Sequence, residues 1–306
     1  MSGAAFRIGA LMLLLCLSAT VGVAQEEDAG EASAIATAEE AKLAVTDRDR
    51  MWVNFSRESA VLGQNRFWVE LRGMIQQMSN NPTLGLSGYT VTNYAKKNGP
   101  VETINGGRFD LVGAYGLGKA GEIGLDMPFV MQESINGDEF ADVGDLLLYG
   151  KFKQELAEHW SGAVGMELSA PTGSESKILG SGDLGLNPFL STRYQSGRMG
   201  LGGHLGFLLN TGSQPDVFNW SVQFIARANQ LLALRTEVNG RLFRGSAPGE
   251  RNGMVVSNTE TINDIAIWPG LDFNLTDYFI IRPEGLVHAT DDAINWGIGI
   301  GLAFTM

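Results

Sequence analysis

The chain has 306 residues, with 22 Lys and Arg against 34 Asp and Glu and a formal net charge of −12. That balance excludes a phosphate-backbone binder, which needs a basic footprint to lay along nucleic acid. A hydrophobic content of 44% excludes a disordered chain, and the 40 glycines follow no collagen-like period.

The first residues read as a secretory signal. Arg7 precedes an apolar run from Ile8 to Leu17, and the small-residue end Gly22-Val23-Ala24 predicts cleavage after Ala24, so residues 1–24 are assigned to the signal peptide. Cys16, the one cysteine, lies inside that run. The processed chain is therefore expected to hold no disulfide, thiol nucleophile or thiolate metal site. No apolar run of the roughly 18 residues that a transmembrane helix needs follows Ala24. This leaves a membrane β-barrel open, because its apolar surface is carried on alternate residues.

Residues 25–63 form a separate segment. Glu31 to Val45 is alanine-rich, with acidic residues early and Lys42 late, which suits a short helix. Trp52, Val53 and Phe55 then need cover. One reading takes this segment into a barrel lumen from the periplasm, as a plug or across its mouth; the other is an unstructured leader.

From residue 64 onward a period of two dominates. At the C-terminus Ile294, Trp296, Ile298, Ile300, Leu302, Phe304 and Met306 alternate with Asn295, Gly297, Gly299, Gly301, Ala303 and Thr305. In a strand, residues two apart share a face. One face is thus large and apolar and the other small or polar, the wrong way round for a water-facing exterior on a packed core. Similar runs predict twelve strands near 66–76, 108–117, 121–132, 144–155, 159–170, 183–195, 198–210, 217–228, 231–243, 263–275, 278–288 and 293–305. Their lengths match the roughly 9–11 residues that carry a tilted strand across a bilayer.

The connections sort cleanly. Those at 118–120, 156–158, 196–197, 229–230 and 276–277 are short, and the alternating ones at 77–107, 133–143, 171–182, 211–216, 244–262 and 289–292 are longer. Short periplasmic turns and long outer loops are the habit of outer-membrane barrels. Tyr115, Phe152, Trp160, Tyr194 and Phe304 fall near the short-turn ends, and Phe109, Phe129, Phe207, Phe218 and Trp296 near the long-loop ends, as two interfacial girdles would. The expected fold is all-β: a twelve-stranded antiparallel transmembrane barrel over residues 64–306, preceded by a short, partly helical N-terminal segment.

Three strings carry a resemblance. They are Gly144-Asp145-Leu146-Leu147-Leu148-Tyr149-Gly150-Lys151-Phe152, Glu167-Leu168-Ser169-Ala170-Pro171-Thr172-Gly173 and Gly180-Ser181-Gly182-Asp183. The sequence resembles the bacterial outer-membrane family of phenol meta-pathway degradation proteins, which are transporter-like barrels. Thr46-Asp47-Arg48 is similar to that family's Thr-Asp-Arg-Pro stretch, with Asp49 in place of the proline. The resemblance implies the outer membrane and uptake of small molecules, aromatic ones among them; it implies no residue roles.

Other motifs reduce to structure. Gly116-Leu117-Gly118-Lys119-Ala120-Gly121 spells a dinucleotide fingerprint, but here it is a hairpin turn leading into a strand, whereas the motif must open a helix. His159, His204 and His288 lie on separate strands without ligand spacing, and His204 has no serine two residues away to activate. The stretch from Asn136 to Asp145 gathers four carboxylates without a calcium-loop register and reads as a solvated acidic loop.

The lumen-facing set in this register is Glu70, Arg72, Asp110, Glu122, Asp126, Asp145, Lys151, Lys153, Glu167, Asp183, Arg193, Arg227, Arg235, Glu237, Arg241, Asp264, Asp272, Arg282 and Glu284. Both signs are present, so either a wet pore or an ion-pair network that closes a narrow barrel is expected. No single-sign cluster points to strong ion selectivity. The leading functional expectation is a channel for passive uptake of small solutes, apolar or aromatic compounds among them. The alternatives are a sealed structural or surface-interaction barrel and, third, a barrel-wall lipid-modifying enzyme. No catalytic residue, cofactor or metal is expected. The expected partners are outer-membrane lipid, a small solute and the outer-membrane assembly machinery, without nucleic acid.

Overall fold

The computed structural model describes residues 60–79, 103–135, 138–174, 179–212, 214–251, 254–289 and 294–306. The expected signal peptide, the helix over Glu31 to Val45 and the patch around Trp52 lie outside these residues.

Alternating large apolar and small or polar residues give extended chain at every expected place. The strands are β1 (Phe67–Ser79), β2 (Thr103–Leu117), β3 (Gly121–Ile135), β4 (Asp138–Val143), β5 (Leu146–Ala157), β6 (Trp160–Ala170) and β7 (Gly185–Ser196). They continue with β8 (Met199–Asn210), β9 (Val217–Arg227), β10 (Leu232–Arg251), β11 (Met254–Asn274), β12 (Phe279–Ala289) and β13 (Ile294–Thr305). All pairings are antiparallel between neighbours, β13 pairs with β1, and β2 joins both β1 and β3, so the sheet closes. The result is a closed twelve-stranded barrel with one extra strand: β4 sits above β5 on the same edge of β3. Closure leaves no exposed sheet edge at membrane depth.

The wall is inverted relative to a soluble core. On β13 the side chain of Ile298 is 60% exposed, whereas Arg282 on neighbouring β12 is 0% exposed. An apolar outer face and a charged, enclosed inner face fit only a hydrocarbon exterior. Among the described residues no helix is long and apolar enough to cross a membrane; the crossing is made by strands. At the short-turn rim Phe67 and Tyr115, Trp160 and Tyr194, and Phe279 and Phe304 pair with ring centroids 4.5, 5.2 and 4.6 Å apart. These are the girdle contacts expected for that interface. Gly118 and Gly197 take positive φ in two of the tight turns, the left-handed conformation that glycine adopts without a β-carbon clash.

Two expected loops are strand instead. The range 133–143 holds the end of β3 and all of β4, so Asp138–Val143 of the acidic stretch is paired strand rather than loop. The range 244–262 continues β10 and β11 as a ribbon, paired to Arg251↔Met254. The sequence between those paired residues reads Asn252-Gly253, the dipeptide that best suits a tight hairpin.

Candidate functional site

Inside the barrel, six of the expected lumen residues form one closed ring of alternating charge. Glu70 pairs with Arg282 (3.2 Å), Arg282 with Asp272 (3.2 Å), Asp272 with Arg235 (2.9 Å) and Arg235 with Glu284 (2.7 Å). Glu284 then meets Arg72 at 3.6 Å, and Arg72 returns to Glu70 at 3.4 Å. Each carboxylate lies between two guanidinium groups, so three negative and three positive charges cancel.

The ring spans β1 and β10–β12 and crosses β13, whose inward positions there are Gly299, Gly301 and Ala303. A β-carbon on Gly301 would lie 2.7 Å from Glu70 Oε1 and 3.3 Å from Arg282 Cβ. One on Gly270 would lie 3.0 Å from Arg235 Cζ. The charged side chains therefore lie against bare backbone along the wall. Trp68 on β1 adds a ring face, with the Arg282 guanidinium 5.0 Å from its centroid.

A second centre gathers on Glu122 of β3. Its carboxylate accepts the Tyr149 hydroxyl (2.9 Å) and the backbone N–H of Leu62 (2.7 Å), and pairs with Lys151 Nζ at 3.3 Å. Leu62 belongs to the chain that precedes β1. Of the expected N-terminal segment 25–63, residues 60–63 are described, and Ala60, Val61 and Leu62 are buried. Leu62 forms one apolar cluster with Trp68, Val112, Ala114, Tyr149, Ile280 and Ala303, all on inner faces of the wall. The chain then turns, with Arg66 N–H donating to Gly63 O and Asn65 at φ 60°, and enters β1 at the short-turn rim.

Gly116 explains how the segment fits. A β-carbon there would overlap the carbonyl oxygen of Gly63 and come within 2.6 Å of that of Leu62. The glycine-rich string 116–121 thus serves close chain approach at Gly116 and a left-handed turn at Gly118, with no helix to hold a nucleotide.

Opposite the charged ring, strands β6–β9 carry an uncharged relay ending on Glu167. Asn187 Nδ2 donates to Glu167 Oε2 (2.5 Å), and Asn219 Nδ2 donates to Asn187 Oδ1 (3.3 Å). His204 Nε2 lies 2.9 Å from Asn219 Oδ1, and Ser191 Oγ lies 3.4 Å from His204 Nδ1. Because Asn219 uses its amide as donor to Asn187, its oxygen accepts, which puts the histidine proton on Nε2. Sequence reasoning searched for a serine two residues from His204. The partner is instead directly across the ladder, where Ser191 and Ser221 flank His204 on β7 and β9.

Asp145 has a different task from lining a route. It sits in the break between β4 and β5 and accepts the N–H of Gly173 (2.8 Å) and both the N–H and hydroxyl of Ser181 (2.7 Å each). Thr172 Oγ1 donates to Gly144 O and accepts from Leu146 N–H. The three strings that carry the family resemblance therefore meet in space, fastening the β6–β7 loop to the wall beside buried Leu179. Asp183 in that loop accepts Gln214 N–H at 2.9 Å.

The remaining expected residues are scattered. Arg193, Arg227 and Glu237 are buried on inner faces, with Arg227 donating to Gln230 O near the rim and Glu237 accepting from Asn239. Arg241 is half-buried and lies opposite Asp264, which pairs with His288 at 3.1 Å. Asp110 pairs with Arg108 at 2.5 Å, Asp126 lies opposite Leu147, and Lys153 pairs with exposed Glu155 at 2.7 Å. Among the described residues no cluster of His, Cys, Asp and Glu is arranged to hold a metal ion.

No protein-family model matches the sequence, and no curated protein matches it. Solved structures do match. The COG4313 outer membrane channel from Pseudomonas putida F1 superposes with a TM-score of 0.60 at 13% identity, over 84% of this chain and 100% of that one. The NanC porin superposes with a TM-score of 0.51 at 10% identity, over 77% of this chain and 98% of that one. At such identities the likeness is one of fold, and the fold is that of an outer-membrane β-barrel.

Proposed function

We propose that this barrel is an outer-membrane channel for passive passage of small solutes, with uncharged apolar or aromatic compounds as the preferred class, held closed by residues 60–63. The carrying observation is the pairing of Leu62 with Glu122 inside the lumen. A short, locally held segment in the bore is a stopper, and a purely structural wall has no need of one. Glycines beneath the charge ring let the paired side chains lie against the wall. A balanced ring gives no reason to favour one ion sign. The family resemblance of the strings around Asp145 points toward aromatic solutes.

The Ser191–His204 contact is read as part of a structural relay and not as a catalytic pair: it is 3.4 Å long and His204 is 2% exposed. The test is single-channel conductance of the full chain in planar bilayers beside Leu62→Asp, which sets a second carboxylate against Glu122 and expels the segment. Rare openings in the wild type and frequent ones in the variant support the channel. Silence in both, with correctly folded protein, transfers the assignment to a sealed barrel.

A further inference from the structure

Among the described residues, one of the apolar clusters on the inner wall holds the chain's own Leu62. Around it Trp68, Val112, Ala114, Tyr149, Ile280 and Ala303 supply an enclosed apolar wall drawn from five strands. At its edge Glu122 Oε2 accepts an N–H that belongs to the same residue that supplies the apolar group. The Glu122 charge is already met by Lys151 and its other oxygen by the Tyr149 hydroxyl. What the patch recognises in Leu62 is thus a compact apolar body with a single hydrogen-bond donor beside it and no net charge.

We infer that Leu62 occupies, within the same chain, a binding site for small neutral alcohols, aromatic or branched, and that such a solute opens the channel by displacing the segment. The hydroxyl takes the place of the Leu62 N–H on Glu122 while the apolar body takes the place of the leucine side chain. A hydrocarbon of the same shape fills the volume but leaves the Glu122 oxygen without the donor it loses, which penalises it. A carboxylate of the same shape meets Glu122 with like charge. Gly116 bears on the displacement step: its bare backbone is what lets the 62–63 carbonyls approach the wall, so a side chain added there competes with closure.

The consequence for gating rests on the channel reading, but binding is measurable without it. The probes are benzyl alcohol, toluene and benzoate, added to the full refolded chain in lipid vesicles, with intrinsic tryptophan fluorescence as the binding readout and Trp68→Phe as the control. Benzyl alcohol is expected to give a saturable change that Trp68→Phe removes, with toluene and benzoate at least tenfold weaker. Gly116→Val pushes the segment out and leaves the patch intact, so benzyl alcohol should bind it about tenfold or more tighter, since the competing occupant is gone. Leu62→Ala, which alters no wall residue, should shift the same way and guards against misfolding of the glycine variant.

In planar bilayers the alcohol should raise the open fraction of the wild type and add little to Gly116→Val. Equal binding of toluene and benzyl alcohol overturns the donor requirement, and a non-saturable signal, or one kept in Trp68→Phe, overturns the site. Saturable, donor-dependent binding without conductance in any variant leaves the site standing and overturns the channel reading instead.

Discussion

Glu70 and Arg282 stand 212 positions apart in sequence and meet at 3.2 Å inside the barrel, across a strand that sets Ala303 opposite Glu70 and Gly301 opposite Arg282. Their pairing closes a ring in which each charge has two opposite neighbours. Arg282→Met leaves three carboxylates facing two guanidinium groups in an enclosed setting, and should cost about 3 kcal/mol. Adding Glu70→Gln restores the balance. The double variant should therefore be more stable than the sum of the singles by about 1–3 kcal/mol. Urea unfolding of the barrel in lipid vesicles measures this, and additive single effects would show that the ring is a set of independent contacts.

The trough on β13 makes a separate prediction. Gly301→Val drives a side chain into the Glu70 carboxylate and should destabilise by about 1–3 kcal/mol. It should also abolish the coupling between Glu70 and Arg282, because the pair can no longer cross the strand. Gly73 on β1 is the control, since a β-carbon there has nothing within 4 Å. Gly73→Val should leave the unfolding midpoint within about 0.5 kcal/mol of wild type, as substitutions away from special contacts do.

At the loop end, Asp145→Asn exchanges an ionised acceptor for a neutral one that still accepts but holds less strongly. Hydrogen bonds to charged groups contribute about 1.5–3 kcal/mol against about 1 for neutral ones. Weakening the bonds from Gly173 and Ser181 together should raise detachment of the β6–β7 loop about tenfold or more. Lys177 falls between β6 and β7 in the sequence, so trypsin added to intact vesicles should cleave after it at least tenfold faster in the variant. Unchanged cleavage would mean that the loop is held by its other contacts, Thr172 and Asp183 among them.

How much of this was legible in the sequence follows from the range of each interaction. Alternation is local, so the strands from Phe67 to Thr305 and the inward face of Glu70, Arg72 and Arg282 could be read directly. The extended ribbon of β10 and β11 escaped because its polar residues lack an apolar face beyond Phe243, although the sequence carries the hairpin dipeptide Asn252-Gly253. Pairing partners depend on register between strands, which alternation does not carry; hence neither the closed ring nor Ser191 opposite His204 was visible. Asp145 shows a related limit. Whether a buried carboxylate there meets solute or the N–H groups of a folded-back loop is decided by residues about 30 positions away. Gly116 carried a signal of its own, a glycine two positions before the turn glycine, whose purpose is apparent only once Gly63 lies against it.

The Glu122 centre supports a final prediction that separates two of its partners. Tyr149→Phe keeps the ring in the Leu62 cluster and removes one donor to Glu122. With the segment in place water is excluded there, so the carboxylate loses about 1–2 kcal/mol of interaction that hydration in the open state returns. Lys151→Met removes the neighbouring cation, and the cost of keeping Glu122 ionised without it is larger than that of one hydroxyl. Opening rehydrates Glu122, so both variants should favour the open state, Lys151→Met more than Tyr149→Phe. The open fraction in planar bilayers should rise about tenfold for Tyr149→Phe and further for Lys151→Met, since each 1.4 kcal/mol is a factor of ten. A fall in open fraction for Lys151→Met would show that Glu122 holds Leu62 more tightly when its cation is gone, and that hydration of the carboxylate does not drive release.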